Sequence, residues 1–359
     1  MNIRNEVKMI KKQIIGWRRY FHENPELSFK EFNTAKIITS ELKSMGLKPK
    51  TKVGITGVTA DLKFGEGPVI GFRADMDALP MQETSGLPFA SKNDGVMHAC
   101  GHDGHVAMLL ATAKIMSQKS NQHIGTIRFI FQPAEEGHGG ARYMIKDGCL
   151  DSIDEIYGIH LWNYQPFGEV GVKSGAVMAS ADMFDIKIKG VGGHGAAPQG
   201  TVDAVIVASH LIQALQTIVS RNTNPLDSTV VTVGKIYGGH NFNIIVDEVN
   251  LSGTTRAYSE ENRLLIKTRM KEITRGIANM YNAEIELDYK DGYPPTINHI
   301  NQSETVLEAA KIVVGDKAGS PYLSMGGEDF SYYLQKVPGC FFFVGSAPDK
   351  QKLFETPHH

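Results

Sequence analysis

Four short stretches of the chain carry side chains that can do chemistry together. Residues 97–105 read Met-His-Ala-Cys-Gly-His-Asp-Gly-His. Cys100 and His102, two apart and flanked by glycines, can turn a thiolate and an imidazole toward one ion without steric strain. Residues 132–137 contain two adjacent acids, Glu135 and Glu136. Neighbouring carboxylates repel unless a cation or a proton separates them. A metal hydrolase uses such a pair well, because one acid can ligate while the other takes a proton from water. His160 follows the apolar run 156–159 at what reads as a strand end. Residues 72–80 hold Arg73, Asp75 and Asp77, and alternate acids on an extended segment point the same way, where they can orient ligand imidazoles. Taken singly, each stretch has a plainer account: a buried cysteine beside a helix-capping histidine, a solvated acidic loop, a structural histidine, a surface Arg73–Asp75 pair.

The elements that must position these groups are legible in the periodicity. Phe32, Ala35, Ile38, Leu42 and Met45 recur at helical spacing and Gly46 follows, which predicts an amphipathic helix with a glycine stop. Short apolar runs at 69–72, 127–131 and 156–159 alternate with helical patterns such as 106–116, so a mainly parallel α/β sheet is expected. In such sheets functional groups gather beyond the C-terminal ends of the strands. Asp75, Asp77, Glu135, Glu136 and His160 share that placement, and together they outweigh the plainer accounts. From about residue 183 the pattern becomes strand 183–191, helix 202–219, strand 229–236, strand 249–257, helix 261–281 and strand 284–289. This β-α-β-β-α-β order predicts a ferredoxin-like satellite domain inserted into the first. Its boundaries are drawn at 177–291, leaving 1–176 and 292–359 for the catalytic domain, to which the apolar run 341–344 returns as a buried strand.

Length and composition suit this division. The 359 residues are 42% hydrophobic and 21% charged, with a net charge of -2. That describes a globular protein of two domains and offers no basic face for nucleic acid or a membrane surface. Cys100, Cys149 and Cys340 are too few and too odd in number for a disulfide framework, so reduced thiols in the cytoplasm are expected. The N-terminal segment mixes charges through its apolar residues, unlike a signal peptide, and no uninterrupted apolar span of bilayer length stands out.

In combination and order, the motifs resemble those of the M20 metallopeptidase family. They are RRYFHENPEL at 18–27, RADMDALP at 73–80, MHACGHDGH at 97–105, QPAEEG at 132–137, GIHLW at 158–162, GGHGAAP at 192–198, LSGTTRA at 251–257 and MGGEDF at 325–330. The similarity runs from about residue 10 to the end. It is strongest to the subgroup of N-acyl-amino-acid amidohydrolases, hippurate hydrolases, indoleacetyl-amino-acid hydrolases and related carboxypeptidases. The resemblance implies that Cys100, His102, Glu136 and His160 ligate a pair of divalent metals, zinc or manganese, with Glu135 as general base. The family's last ligand falls on His359 or its neighbour His358; His359 stands two residues past Pro357. His194 would stabilise the oxyanion, often across a dimer, and Asn243 and Arg256 would hold the substrate carboxylate. Two departures bear on substrate fit: Gln199 replaces a common His, and Ala204 a common Pro. The expected substrate is a small N-acyl-amino acid or short peptide, and the expected protein partner a second copy of the chain.

Rival classes fare worse. Residues 190–195 fit GxGxxG, yet the acid that a dinucleotide fingerprint needs about 20 positions on is missing. No GxSxG elbow or GxxxxGK[ST] loop occurs. The remaining alternative is a catalytically impaired family member that binds metal and acts as a binding protein.

Overall fold

The computed structural model describes residues 3–119 and 124–348. Its contacts divide the chain into two units, the first comprising Met1–Val177, Ile297–Leu323 and Asp329–His359, the second Met178–Thr296 and Ser324–Glu328.

The first unit is a mixed α/β layer structure. Its eight-stranded sheet runs in the order Lys50–Val53, Gly57–Lys63, Thr126–Gln132, Val69–Asp75, Glu155–Pro166, Gly339–Ala347, Val170–Gly171, Ala318–Gly319. The four strands at its centre are mutually parallel, while Gly57–Lys63 joins them antiparallel and makes a hairpin edge. The helix predicted around residues 32–45 spans Phe32–Ser44 and buries Ile38 and Leu42. With Trp17, Phe21 and Leu110 these pack over Val58, Phe129 and Phe131 of the sheet. A second cluster, Val306 and Ala310 of the helix Ile300–Val314 against Tyr157, Val170 and Cys340, forms elsewhere in the unit.

Two element boundaries differ from the sequence expectation, and both matter for the site. The helix expected at 106–116 spans His102–Ser117, because Gly101 takes a left-handed turn (φ 81°) and starts it one turn earlier. The strand expected to stop at Ile159 continues to Pro166. Pairing with Val69–Asp75 ends at Gly158, but pairing with Gly339–Ala347 continues, placing Phe343 beside His160. His160 therefore sits inside a strand whose one side has just lost its neighbour, not at a strand end.

The second unit has a four-stranded antiparallel sheet in the order Thr229–Gly238, Glu248–Ala257, Ala181–Lys189, Glu284–Tyr293. Along Ala181–Lys189, Phe184, Ile186 and Ile188 are buried and alternate with Met183, Asp185 and Lys187, the period of a half-covered sheet. Two helices cover that face. Glu260–Tyr281 is capped by Ser259, and Ala204–Thr217 by Asp203, whose carboxylate accepts the Val205 and Ile206 N–H groups. Ala204 is the first residue of its helix, a position where proline and alanine serve alike. Residues Ala204–Asn222 are the one helix, among those described, long and apolar enough to cross a bilayer. Val207, Ala208, Leu211, Leu215 and Ile218 of it are buried in this unit's core.

Candidate metal centre

The first unit's site grows from a buried ionic platform. Asp75 and Gln132 end neighbouring parallel strands in register. Arg73 is buried between them, not at the surface: it donates through Nε to Gln132 Oε1 (2.8 Å), through Nη1 to Asp75 and through Nη2 to Asp329 Oδ1 (2.8 Å). Gln132 and the Ala141 N–H also donate to Asp329. Burial raises the Asp329 carboxyl to about 6 against the pull of Arg73. For Asp75 burial acts upward too, but Arg73 and the imidazoles of His102 and His105 outweigh it and hold the carboxyl well below its usual range.

On this platform the imidazoles have defined tautomers. His105 Nε2 accepts the Leu161 N–H (2.9 Å), so its Nδ1 donates to Asp75 Oδ1 (2.6 Å). Asp75, His102 and His105 lie close enough together to hold an ion, but His105 has both nitrogens engaged and acts as a strut. His102 directs Nδ1 at the Asp77 carbonyl oxygen (2.8 Å), and His160 directs Nδ1 at the Leu161 carbonyl oxygen. Each therefore presents Nε2 to the site, the arrangement in which a backbone acceptor orients a ligating histidine. Gly104 packs closely here: a Cβ on it would lie 2.7 Å from Leu161 Cδ1 and would displace that side chain.

Asp77 organises the acidic loop. Its Oδ1 accepts the Glu135 N–H (2.9 Å), and its Oδ2 accepts the Glu136 N–H (3.0 Å) and the Ser28 hydroxyl (2.7 Å). Two groups of donors result. Cys100, His102 and His160 each offer an atom within 4.8 Å of the others, and so do His102, Glu135 and Glu136. The two groups share His102, and Cys100 Sγ lies 3.4 Å from His160 Nε2.

This set fits divalent ions. His102 Nε2 and Glu136 Oε1 are buried 3.9 Å apart, with no hydrogen-bond partner among the described residues. Buried polar atoms left in that state cost about 1–3 kcal/mol each unless something is bound between them. Burial opposes a charge on His102, yet Asp75 and Asp77 hold its pKa well above the ordinary value, so the local field favours a cation. Burial, then the nearby Glu136 carboxylate, pushes the Cys100 thiol far up, so a neighbouring cation is what would make it a thiolate.

The second unit holds the other expected site residues. His194 pairs with Ile244 in a two-stranded ribbon, and the Gly195 N–H donates to the Asn243 carbonyl (2.8 Å), so His194 and Asn243 are neighbours, both exposed. Arg256 lies in the strand Glu248–Ala257, half-buried, with Nη1 on the Thr255 carbonyl (3.0 Å). The GxGxxG stretch leads into this ribbon rather than into a helix N-terminus. His358 and His359 lie outside the described residues. The buried Arg73–Asp329 pair and the contacts of Glu31 leave no local pattern in the sequence, because their partners are far along the chain.

Imidazole, thiol and carboxylate side chains clustered beside the central parallel strands are the donor set that a metal-hydrolase class of site requires. Residues 71–359 match Peptidase family M20/M25/M40. An N-acetyl-L-cysteine deacetylase of Bacillus subtilis (strain 168) is 44% identical, covering 95% of this chain and 82% of its own length. The thermostable carboxypeptidase 2 of Saccharolobus solfataricus is 39% identical over 99% of this chain and 91% of its own. Among solved structures, the Bacillus subtilis YXEP protein, described as a dinuclear metal binding peptidase from the M20 family, superposes with a TM-score of 0.83 at 38% identity, covering 94% of this chain and 89% of that one. The chain belongs to Peptidase family M20/M25/M40, and it is an enzyme acting on amide C–N bonds.

Proposed function

We propose that the chain hydrolyses the amide bond of small N-acyl-amino acids, or of short peptides as a carboxypeptidase, with two divalent ions, zinc or manganese. The carrying observation is the pair of donor groups joined at His102, which contain His102 Nε2 and Glu136 Oε1, neither of them hydrogen-bonded among the described residues. Cys100, His102, Glu136 and His160 would hold the ions, with His359 or His358 completing the set. When bound, such ions polarise the scissile carbonyl and make water more acidic.

The chain's own residues do the rest. Glu135 takes a proton from the attacking water and passes it to the leaving amine. His194 donates a hydrogen bond to the oxyanion. Asn243 and Arg256 bind the substrate carboxylate, to which a guanidinium is matched by its two parallel donors. The adjacency of His194 and Asn243 in one ribbon supports their joint use.

We read the second unit as the inserted ferredoxin-like satellite, 177–291 in the sequence division, through which two copies would pair. The strand order, with the first and third strands central, supports it. The three cysteines are unpaired, in keeping with the cytoplasm.

Metal analysis joined to a panel of N-acetyl- and N-benzoyl-amino acids and dipeptides tests the proposal. Metal-dependent turnover of an acyl-amino acid or dipeptide is expected. Two metals per chain with no hydrolysis of any of these would instead identify a metal-bound binding protein.

A further inference from the structure

Glu31 stands at the start of the helix Phe32–Ser44 but does not cap it. Glu26 takes that role from outside, accepting the Asn33 N–H (3.0 Å) and the Thr34 N–H (2.8 Å). The Glu31 side chain is thereby released to another task. It is fully buried and reaches two remote segments: Oε1 accepts the Ala134 N–H (2.9 Å), and Oε2 accepts the Thr56 hydroxyl (2.5 Å).

Ala134 is unusual. It is a non-glycine residue in the left-handed region, φ 54°, and it is fully buried directly before Glu135. Such a conformation costs on the order of 1 kcal/mol or more and persists only where its surroundings impose it. Here both of its polar groups are held, the N–H by Glu31 and the carbonyl by the Gly140 N–H (2.9 Å). The next two amides, of Glu135 and Glu136, are held by Asp77. Three successive N–H groups are thus fixed by two buried carboxyl groups.

The geometry has a consequence for the two glutamates. On extended backbone, adjacent side chains point to opposite faces. Glu135 and Glu136 instead place oxygen atoms in one group with His102. We propose that Glu31 is a positioning residue: its carboxyl holds the left-handed turn at Ala134 that aims both glutamates at His102. Burial, reinforced by the facing Asp77 carboxylate, raises Glu31 to about 7, so its neutral form is substantially populated near neutrality and glutamine is a close mimic. The inference rests on the roles given above to Glu135 and Glu136, but metal uptake tests it independently of turnover.

The experiment compares the full-length wild type with Glu31→Ala, Glu31→Gln and the double variant Glu31→Ala/Ala134→Gly. Zinc and manganese are titrated into chelator-stripped protein, and kcat, KM and Tm are measured. For Glu31→Ala, metal affinity is expected to fall about 10–100-fold and kcat about 100-fold, with KM little changed. Glu31→Gln should restore both, because its amide oxygen still accepts the Ala134 N–H. Ala134→Gly should recover about tenfold of the loss in the Glu31→Ala background, since glycine enters the left-handed region without penalty. If Glu31→Ala does not fold, Glu31→Asp, one methylene too short to reach Ala134, takes its place. A loss confined to Tm, or a Gln variant as impaired as Ala, overturns the proposal. If the wild type binds metal but turns over nothing, the hydrolase reading fails while the metal titrations still decide the role of Glu31. A wild type that binds no metal overturns both.

Discussion

His102 Nε2 and Glu136 Oε1 face each other across 3.9 Å, and neither has a hydrogen-bond partner among the described residues. The rest of each residue is firmly held, His102 by the Asp77 carbonyl and Glu136 by the Asp77 carboxylate. Two lone-pair donors fixed at this separation in a buried place are organised for a cation.

Adding zinc or manganese to chelator-stripped protein should therefore raise Tm, and a chelator should reverse it. An ion at a hundred times its Kd stabilises by about 2.7 kcal/mol. A Tm indifferent to both metal and chelator would remove the metal centre from consideration.

Glu135→Gln should lower kcat by roughly 10²–10⁴-fold, the usual contribution of a positioned proton-transfer group, while bound metal is retained. His194→Ala should be impaired through the oxyanion instead. If His194 serves the other copy of a dimer, mixing the two inactive variants restores about a quarter of wild-type activity through hybrid dimers. A mixture as inactive as its parts would show that His194 acts within its own chain.

Asp77→Asn should uncouple the acidic loop. Both Asp77 oxygens accept backbone N–H groups, at 2.9 and 3.0 Å, and an amide NH2 would confront one of them. A destabilisation of about 1–3 kcal/mol in urea is expected, together with weakened metal binding. An Asn variant with wild-type stability and metal affinity would assign the loop's geometry to other contacts.

Glu31 also gives the fold a pH signature. Its pKa is raised to about 7 by burial, from an ordinary value of 4.5, so between those limits the folded chain holds the proton more tightly than the unfolded one. The stabilisation is complete below about pH 4.5 and is lost as the pH rises through 7, by up to about 3 kcal/mol. Melting curves of the wild type and Glu31→Gln from pH 5 to 8 should diverge, the wild type losing stability relative to the variant. Parallel profiles would show that Glu31 ionises normally.

Much of this was written along the chain because its causes are local. Helical spacing announced the helix at Phe32–Ser44, and apolar runs announced the parallel strands. Cys100, His102, Glu135 and Glu136 could be picked out because ligand-capable residues beside glycines and at strand ends form short patterns. Other features depended on partners remote in the chain. His160 lies within a strand because Gly339–Ala347, far along the sequence, extends its pairing. Arg73 is buried because Asp329 meets it across the fold. Glu31 is free to hold Ala134 because Glu26 caps the helix in its place, and both contacts depend on the folded chain. The sequence alone determined which residue types could bind an ion and move a proton. Only the tertiary structure decided which buried carboxyl holds which amide, since a hydrogen bond between residues a hundred positions apart leaves no local pattern in either segment.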